Sequence, residues 1–536
     1  MESPEHKEIL YSSMMHAPVQ TVPIRAAVAR HFDWVMLSHR WESKELLLHD
    51  VQGKPVYDLD PVGTTAMLQT FCQIARDAGH HWAWSDTCCI DQNNNVELQR
   101  SVNSMFVWYR QSALTIVYLS DVPPSVQSGA LANSAWNTRG WTVQEFLAPN
   151  TILFYRKDWT PYLNDRSPNH KDSVVIMKEL EDSTDIDAQA LAAFRPAFYR
   201  KDPISQRPLS QPQGVMKELE DSTGIDAQAL AAFRPGMKDV REKLQWASTR
   251  ATTLQEDIAY SLFGIFGVHL PVIYGETKQN ALGRLLQEIV AQSGDITALD
   301  WVGKSSEFNS CLPAEISSYK PLPCTPPPLS EDRIQTLVSS LQDAAVEEQA
   351  LMLYTRLDHL SAPRFDHRRL HLPCITFPVT EIRRRRGQDR ELCFTYDVKA
   401  DSLHNLLITT EYKLIQFSPA RPTRQTFLLI RPWNRDDLEL PDFADDAQDM
   451  VESMPESPLD DSLGWYPGDD EPVDTEPHSR ELRLIARLGQ PFGALLLAQQ
   501  RGGEYKRIAL DNNIIAQVKD MASVRDMMDV RTLEIL

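Results

Sequence analysis

The sequence has no apolar run approaching the ~20 residues that a membrane-spanning helix requires, so no membrane span is expected. It opens Met1-Glu2-Ser3-Pro4-Glu5-His6, without the basic stretch and apolar core of a secretory signal, and none is expected. Cysteine is sparse: seven residues, at 72, 88, 89, 311, 324, 374 and 393, an odd set without framework spacing. That argues against a secreted disulfide scaffold and for reduced thiols, so a cytoplasmic location is expected. Basic excess is missing as well. The formal net charge is −20, which speaks against general binding to nucleic acid or anionic membrane. The acidity is concentrated: between Asp436 and Glu476 there are 16 acids and no Lys or Arg. This Pro- and Ser-containing stretch is expected to be disordered. His80-His81 and Cys88-Cys89 lack a further Cys or His pair at ligand spacing. No metal or cofactor is expected there, and small buried thiols are the plainer reading.

What is present is a chain of 536 residues, too long for one core, with 42% apolar and 8% aromatic residues, ordinary for a globular protein of several domains. Trp34 to Ser38 reads as a buried strand followed by the loop His39-Arg40-Trp41-Glu42. Met67, Leu68, Phe71, Ile74, Ala75 and Ala78 fall at helical spacing before Gly79. Trp82 to Asp86 is a second strand candidate closing on a carboxylate. Leu98 to Ala113 shows another helical face, led by a turn with Asn95 or a neighbour as N-cap. Leu114 to Leu119 is a third strand. Alternating strands and helices predict a parallel α/β sheet with crossover helices, and ligands of such sheets sit beyond the carboxyl ends of the strands. Ser38, Arg40, Trp41 and Asp86 fall there, as does the loop before Trp141. In Arg139-Gly140-Trp141-Thr142-Val143-Gln144-Glu145, Trp141 and Glu145 are four apart, so on a helix they share a face. An aromatic beside a carboxylate suits a flat, cation-forming ligand. The alternative is a core Trp141, a solvated Glu145 and an Arg139 that pairs with it.

Leu37-Ser38-His39-Arg40-Trp41, Asp86-Thr87-Cys88-Cys89-Ile90-Asp91-Gln92 and Arg139 to Glu145 together resemble the signature blocks of the fungal heterokaryon-incompatibility (HET) domain, over about the first 160 residues. Thr252 to Leu262 and Leu270 to Glu276 look like the segment that commonly follows it. One departure is His39-Arg40-Trp41-Glu42, where the family often has Trp-Gly. The HET domain is in turn similar to the TIR domain, which implies a TIR-like (flavodoxin-like) fold. Enzymatic TIR members cleave NAD at the nicotinamide–ribose bond. The resemblance therefore implies Glu145 as the catalytic carboxylate, steadying an oxocarbenium-like ribosyl centre. It implies Arg40 or Arg139 on the pyrophosphate, Asp86 on a ribose hydroxyl, Trp41 or Trp141 stacked on a base, and Ser38 lining the same site. The role implied is non-self recognition and regulated cell death, a form of innate immunity, with NAD as substrate and with self-association or a recognition partner. The rival reading is a non-catalytic interaction module of the same fold.

The organisation expected is a HET-like domain over 1–163 and a near-duplicated insertion over 164–235. A helical extension packing on that domain follows over 236–303, then a Pro-containing linker over 304–369. A mainly β domain over 370–536 is interrupted by the acidic loop 436–476. Within the insertion, Met177 to Pro196 recurs as Met216 to Pro235 with one change, Asp185 against Gly224. So close a pair is unlike a solenoid, and the second copy is expected to be the one that packs. Leu254 to Phe266 and Lys278 to Gln292 are expected helices. Strands are expected around Ile375, Phe394, Leu428, Leu482–Leu488, Ala494–Ala498, Lys506–Ala509 and Thr532–Leu536, with Arg383–Arg386 at a hairpin tip.

Overall fold

The computed structural model describes residues 31–42, 44–125, 129–173, 175–177, 179–180, 236, 239–323, 329–385, 393–434, 479–520 and 524–536. The acidic stretch 436–476 lies outside them. The chain divides into two compact units, Met1–Leu285 and Leu286–Leu536.

The first unit is built on β1 (Trp34–His39), α1 (Thr64–Asp77), β2 (Trp82–Trp84), α2 (Asp86–Cys89), α3 (Asn95–Gln111), β3 (Leu114–Leu119), α4 (Thr142–Leu147) and β4 (Ile152–Arg156). The four strands form one sheet in the order β2-β1-β3-β4, every pair parallel. β1 and β3 are central, and Val35, Met36, Leu37, Ile116 and Val117 are almost wholly buried. This is why they read as continuous apolar runs rather than alternating ones. α1 covers the sheet through Met67, Leu68, Phe71 and Ala75, and it stops where Gly79 takes φ +88°. α3 begins at Asn94, whose side chain accepts from the Val96 and Glu97 N–H groups, satisfying donors the first turn leaves open.

Three features differ from the sequence reading. β2 ends at Trp84, so Asp86 does not close the strand but opens the single turn α2. β4 was not foreseen. Its outer edge is sealed by side chains, with Ile152 N–H donating to Asn169 Oδ1 and Phe154 N–H to His170 Nδ1. The helix expected over Leu254–Phe266 is broken into α6 (Asp257–Tyr260) and α7 (Phe263–Phe266), which follow α5 (Val240–Ala247). Close packing sets the position of α7: a Cβ on Gly264 would lie 2.1 Å from Phe106 Cβ, so this turn rests directly on α3. Of the near-duplicated segments, the described residues belong to the first copy: Met177, Glu179 and Leu180 are buried, and Tyr162 Oη donates to Glu179 Oε2 at 2.7 Å. The second copy, which the sequence reading favoured, lies outside the described residues.

α8 (Lys278–Ser293) follows, and its expected stripe of Ala281, Leu282, Leu285, Leu286, Ile289 and Val290 is buried. The second unit contains α9 (Glu331–Asp343), α10 (Glu347–Asp358), β5 (Arg364–Asp366), β6 (Arg369–Arg384), β7 (Phe394–Ala400), β8 (Leu406–Thr410), β9 (Phe427–Pro432), α11 (Ser479–Leu488), β10 (Phe492–Gln499), β11 (Tyr505–Arg507), β12 (Ile514–Ala516) and β13 (Val530–Ile535). The strands form a nine-stranded, mostly antiparallel sheet in which the long β6 pairs with β5, β7, β9 and β13. Two expectations are corrected. Residues 304–369, read as a linker, hold α9 and α10, whose Ile334, Val338, Leu341, Leu353 and Leu357 join the core of this unit. Leu482–Leu488, read as a strand, lies in α11: Leu482, Ile485 and Leu488 are buried at helical spacing, and Arg483 reaches both carboxylate oxygens of Glu331. A short apolar run does not by itself separate a strand from a buried helix face. Among the described residues, no helix is long and apolar enough to cross a membrane.

Candidate functional site

β1 ends on Ser38 and His39, both buried. From β1 the chain winds to β2 on one side and later returns to β3 on the other. The carboxyl ends of β1 and β3 therefore flank the point where the winding reverses, the usual place for a ligand in an open parallel sheet. The loop after β3 brings Trp136 and Arg139 back to this point, and α4 follows with Glu145.

Ser38 Oγ donates to Glu145 Oε2 at 2.5 Å and accepts from Trp136 Nε1 at 2.7 Å. An indole N–H only donates, so Trp136 fixes the serine hydroxyl as the donor to an ionised Glu145. Glu145 is 5% exposed. Burial pushes its carboxyl up to about 7, the Asp86 charge adds to this, and Ser38, Arg139 and His39 pull the other way. Desolvation wins, leaving a carboxyl that changes charge near neutral pH. Burial by itself would lower His39. Its contact with Glu45, 3.3 Å from Nε2 to Oε2, and the charges of Asp86, Glu45 and Glu145 raise it instead. His39 Nδ1 is buried without a partner.

Trp41 is 41% exposed and donates through Nε1 to Asp86 Oδ2 at 2.8 Å. The other Asp86 oxygen is buried without a partner. Arg139 donates to the His39 carbonyl at 3.0 Å, and its guanidinium lies 5.8 Å from the Trp41 ring centre, within cation–π range. Arg139 makes no ion pair with Glu145, because the main chain of β1 engages it; its charge acts on the carboxylate from a distance. Trp141 stands at the start of α4 and donates through Nε1 to Asp257 Oδ2 at 3.1 Å. The polar atoms of Trp141 and Glu145 thus face different partners, one on α6 and one on β1, rather than a common wall. Arg40 is exposed and makes no hydrogen bond or ion pair among the described residues.

The structure therefore brings together Ser38, Trp41, Asp86, Arg139 and Glu145, ties Trp141 to a neighbouring carboxylate, and leaves Arg40 in solvent. Trp136, His39 and Asp257 were not singled out from sequence. Trp136 lies in the unpatterned stretch Asn133-Ser134-Ala135-Trp136-Asn137, 98 residues from its partner Ser38. Among the described residues no group of three or more His, Cys, Asp or Glu side chains is placed to hold a metal ion. The vicinal thiols differ from expectation: Cys88 is buried but Cys89 is exposed, with the Ser85 N–H directed at its sulfur at 3.5 Å.

Fold and site together define a parallel α/β domain with a carboxylate buried where the winding reverses. Residues 34–128 match the family model described as Heterokaryon incompatibility protein (HET), and the chain carries a HET domain. That stretch includes Ser38, Arg40, Trp41 and Asp86 and ends before Trp136, Arg139, Trp141 and Glu145. The chain is 33% identical over 277 residues to Vegetative incompatibility protein HET-E-1 of Podospora anserina, a match covering 50% of this chain and 17% of that protein. The chain thus spans about a sixth of the length of that relative. No solved structure matches it.

Proposed function

We propose that this chain acts in fungal non-self recognition leading to regulated cell death, and that its HET domain is TIR-like and cleaves NAD at the nicotinamide–ribose bond. The observation that carries the reading is the Ser38–Glu145 hydrogen bond, buried at the carboxyl edge between β1 and β3. The strand order β2-β1-β3-β4, all parallel, supports the TIR-like assignment because it follows the flavodoxin-like order. The relative's printed name supports the incompatibility role, and free thiols among the described cysteines support a cytoplasmic setting.

In this reading the C1′–N1 bond of NAD breaks with its electron pair leaving on nicotinamide. Water adds to C1′, and the products are nicotinamide, ADP-ribose and a proton. Ionised Glu145 stabilises the positive ribosyl centre. Trp41 offers an exposed stacking face, and the unpartnered Asp86 oxygen accepts a ribose hydroxyl. Arg139 turns its remaining N–H groups to the pyrophosphate, with Arg40 as a second cation at the rim. Clustering through self-association or a recognition partner is the trigger.

A second reading, a non-catalytic interaction module, is favoured by the deep burial of Glu145. The two separate on one experiment. The full chain is clustered artificially and incubated with NAD, and nicotinamide release is followed. The enzymatic reading expects turnover that Glu145→Gln abolishes while the fold is retained. Absence of turnover at every protein concentration supports the module.

A further inference from the structure

The residues that orient Glu145 are not confined to the first 163 positions. Arg139, Gly140, Trp141 and Thr142, which lead into and begin α4, are each gripped by the chain between Arg250 and Asp257. Gly140 N–H donates to the Ala251 carbonyl at 2.9 Å, and Ala251 N–H donates to the Thr138 carbonyl at 2.8 Å. The approach is close: a Cβ on Gly140 would lie 2.7 Å from Thr252 Cγ2. Trp141 is held by Asp257. Arg250 forms the centre of the grip. Its Nη1 donates to the Arg139 carbonyl at 3.1 Å and to Thr142 Oγ1 at 2.9 Å, and its Nη2 donates to Asn137 Oδ1 at 3.3 Å. The Thr142 hydroxyl in turn lies in donating range of two carbonyls, Arg139 at 2.8 Å and Trp136 at 3.0 Å, and Trp136 is the residue whose indole fixes Ser38. One guanidinium thus ties both ends of the Trp136–Ser38–Glu145 chain.

We propose that Arg250 is a positioning residue for Glu145, holding the first turn of α4 so that the carboxylate meets Ser38 and lies within the field of a fixed positive charge. This deepens the reading above and rests on Glu145 being the working carboxylate. Burial pushes the Arg250 guanidinium down to about 10, and the Glu145 charge opposes that shift, so Arg250 stays cationic at neutral pH. The other titratable groups acting on Glu145 are Asp86 from α2, His39 from β1, Arg139 from the preceding loop and Tyr109 from α3. Arg250 reaches across 111 residues to the Arg139 carbonyl. With Nε donating to the Trp246 carbonyl at 3.3 Å as well, a fork with four acceptors is a task for Arg rather than Lys.

The test is a double-mutant cycle on the full chain. Thermal midpoints are measured at pH 5 and pH 8.5 for the wild type, Arg250→Met, Glu145→Gln and the double variant. The expected result is that Arg250→Met lowers the midpoint at both values, about twice as far at pH 8.5, where Glu145 is ionised and has lost a counter-charge. In the Glu145→Gln background the loss is the same at both. Equal losses at both pH values in both backgrounds would reduce Arg250 to a structural strut and overturn the proposal. Should Arg250→Met not fold, Arg250→Lys replaces it. With charge kept and the fork lost, its midpoint falls equally at both pH values, and a loss that grows with pH would contradict the assignment. Nicotinamide is not read in this experiment, so absent turnover and an absent Arg250 effect remain distinguishable.

Discussion

Arg507 in the C-terminal unit and Glu145 in the N-terminal unit are both buried charges, and their surroundings differ. Arg507 donates to the Leu299 and Trp301 carbonyls at 2.8 and 3.0 Å, approaches the Cys311 carbonyl at 3.4 Å, and lies 4.0 Å from the Trp301 ring centre. Its donors are met by main chain that it holds in place, which is the profile of a structural clamp. Glu145 receives one hydrogen bond, from Ser38, and the arginines whose charge acts on it are occupied elsewhere: Arg139 by the His39 carbonyl, Arg250 by four acceptors. Removing a buried charge from around its partners is costly, because the groups left behind are buried and unpaired. One held short of partners is a candidate for chemistry.

That contrast can be broken at several points. The largest effect is expected from Arg507→Met, which strands the Leu299 and Trp301 carbonyls and costs about 3 kcal/mol, read as a lower urea midpoint. This loss should not vary with pH between 5 and 8.5, because the hydrogen-bond acceptors of the clamp are main-chain carbonyls. Next comes Gly140→Ala, where the new methyl meets Thr252 Cγ2, for about 2 kcal/mol. Thr252→Ser, which removes that carbon, should restore part of the loss, and failure to do so would place the strain elsewhere. A smaller effect concerns His170. Its Nδ1 accepts from Phe154 N–H, and its Nε2 lies 3.2 Å from the Asp165 carbonyl, an arrangement that requires the neutral ring. Burial lowers its pKa from 6.5. Stability is therefore intact above pH 6.5 and declines as the pH falls below that value through the lowered folded one. His170→Gln should flatten this acid limb in denaturation curves measured between pH 7 and 5. The smallest effect is Arg40→Ala, expected within about 0.5 kcal/mol of wild type because the side chain is exposed and unpaired. Its stability should not change even if NAD binding weakens.

Much of the first unit was legible because its signals are local. β1 and β3 are short apolar runs, and α1, α3 and α8 carry clean buried stripes. β4 was passed over because Ile152, Phe154 and Arg156 alternate with partly exposed Leu153 and Tyr155, and a five-residue alternation is weak evidence without its partner strand. α11 was misread since Leu482–Leu488 is too short to show its period. The candidate site was legible where position on the sheet sufficed: Ser38 ends a strand, and Asp86 follows another by two residues. It was not legible where distant segments close on it. Arg250 and Asp257 meet Arg139 and Trp141 across 111 and 116 residues, and no local pattern encodes such a pairing.

The claim that Glu145 is held ionisable against its burial can be measured directly as the stability difference between Glu145→Gln and the wild type from pH 4 to pH 9. The folded carboxyl sits at about 7 against 4.5 for the ordinary group, so the folded wild type binds the extra proton and is favoured at low pH. That advantage fades as pH rises through 7. The difference should be near zero below pH 4.5, grow between 4.5 and 7, and level off with the Gln variant ahead by about 3 kcal/mol. A flat difference across the range, or a variant that loses stability as pH rises, would contradict it.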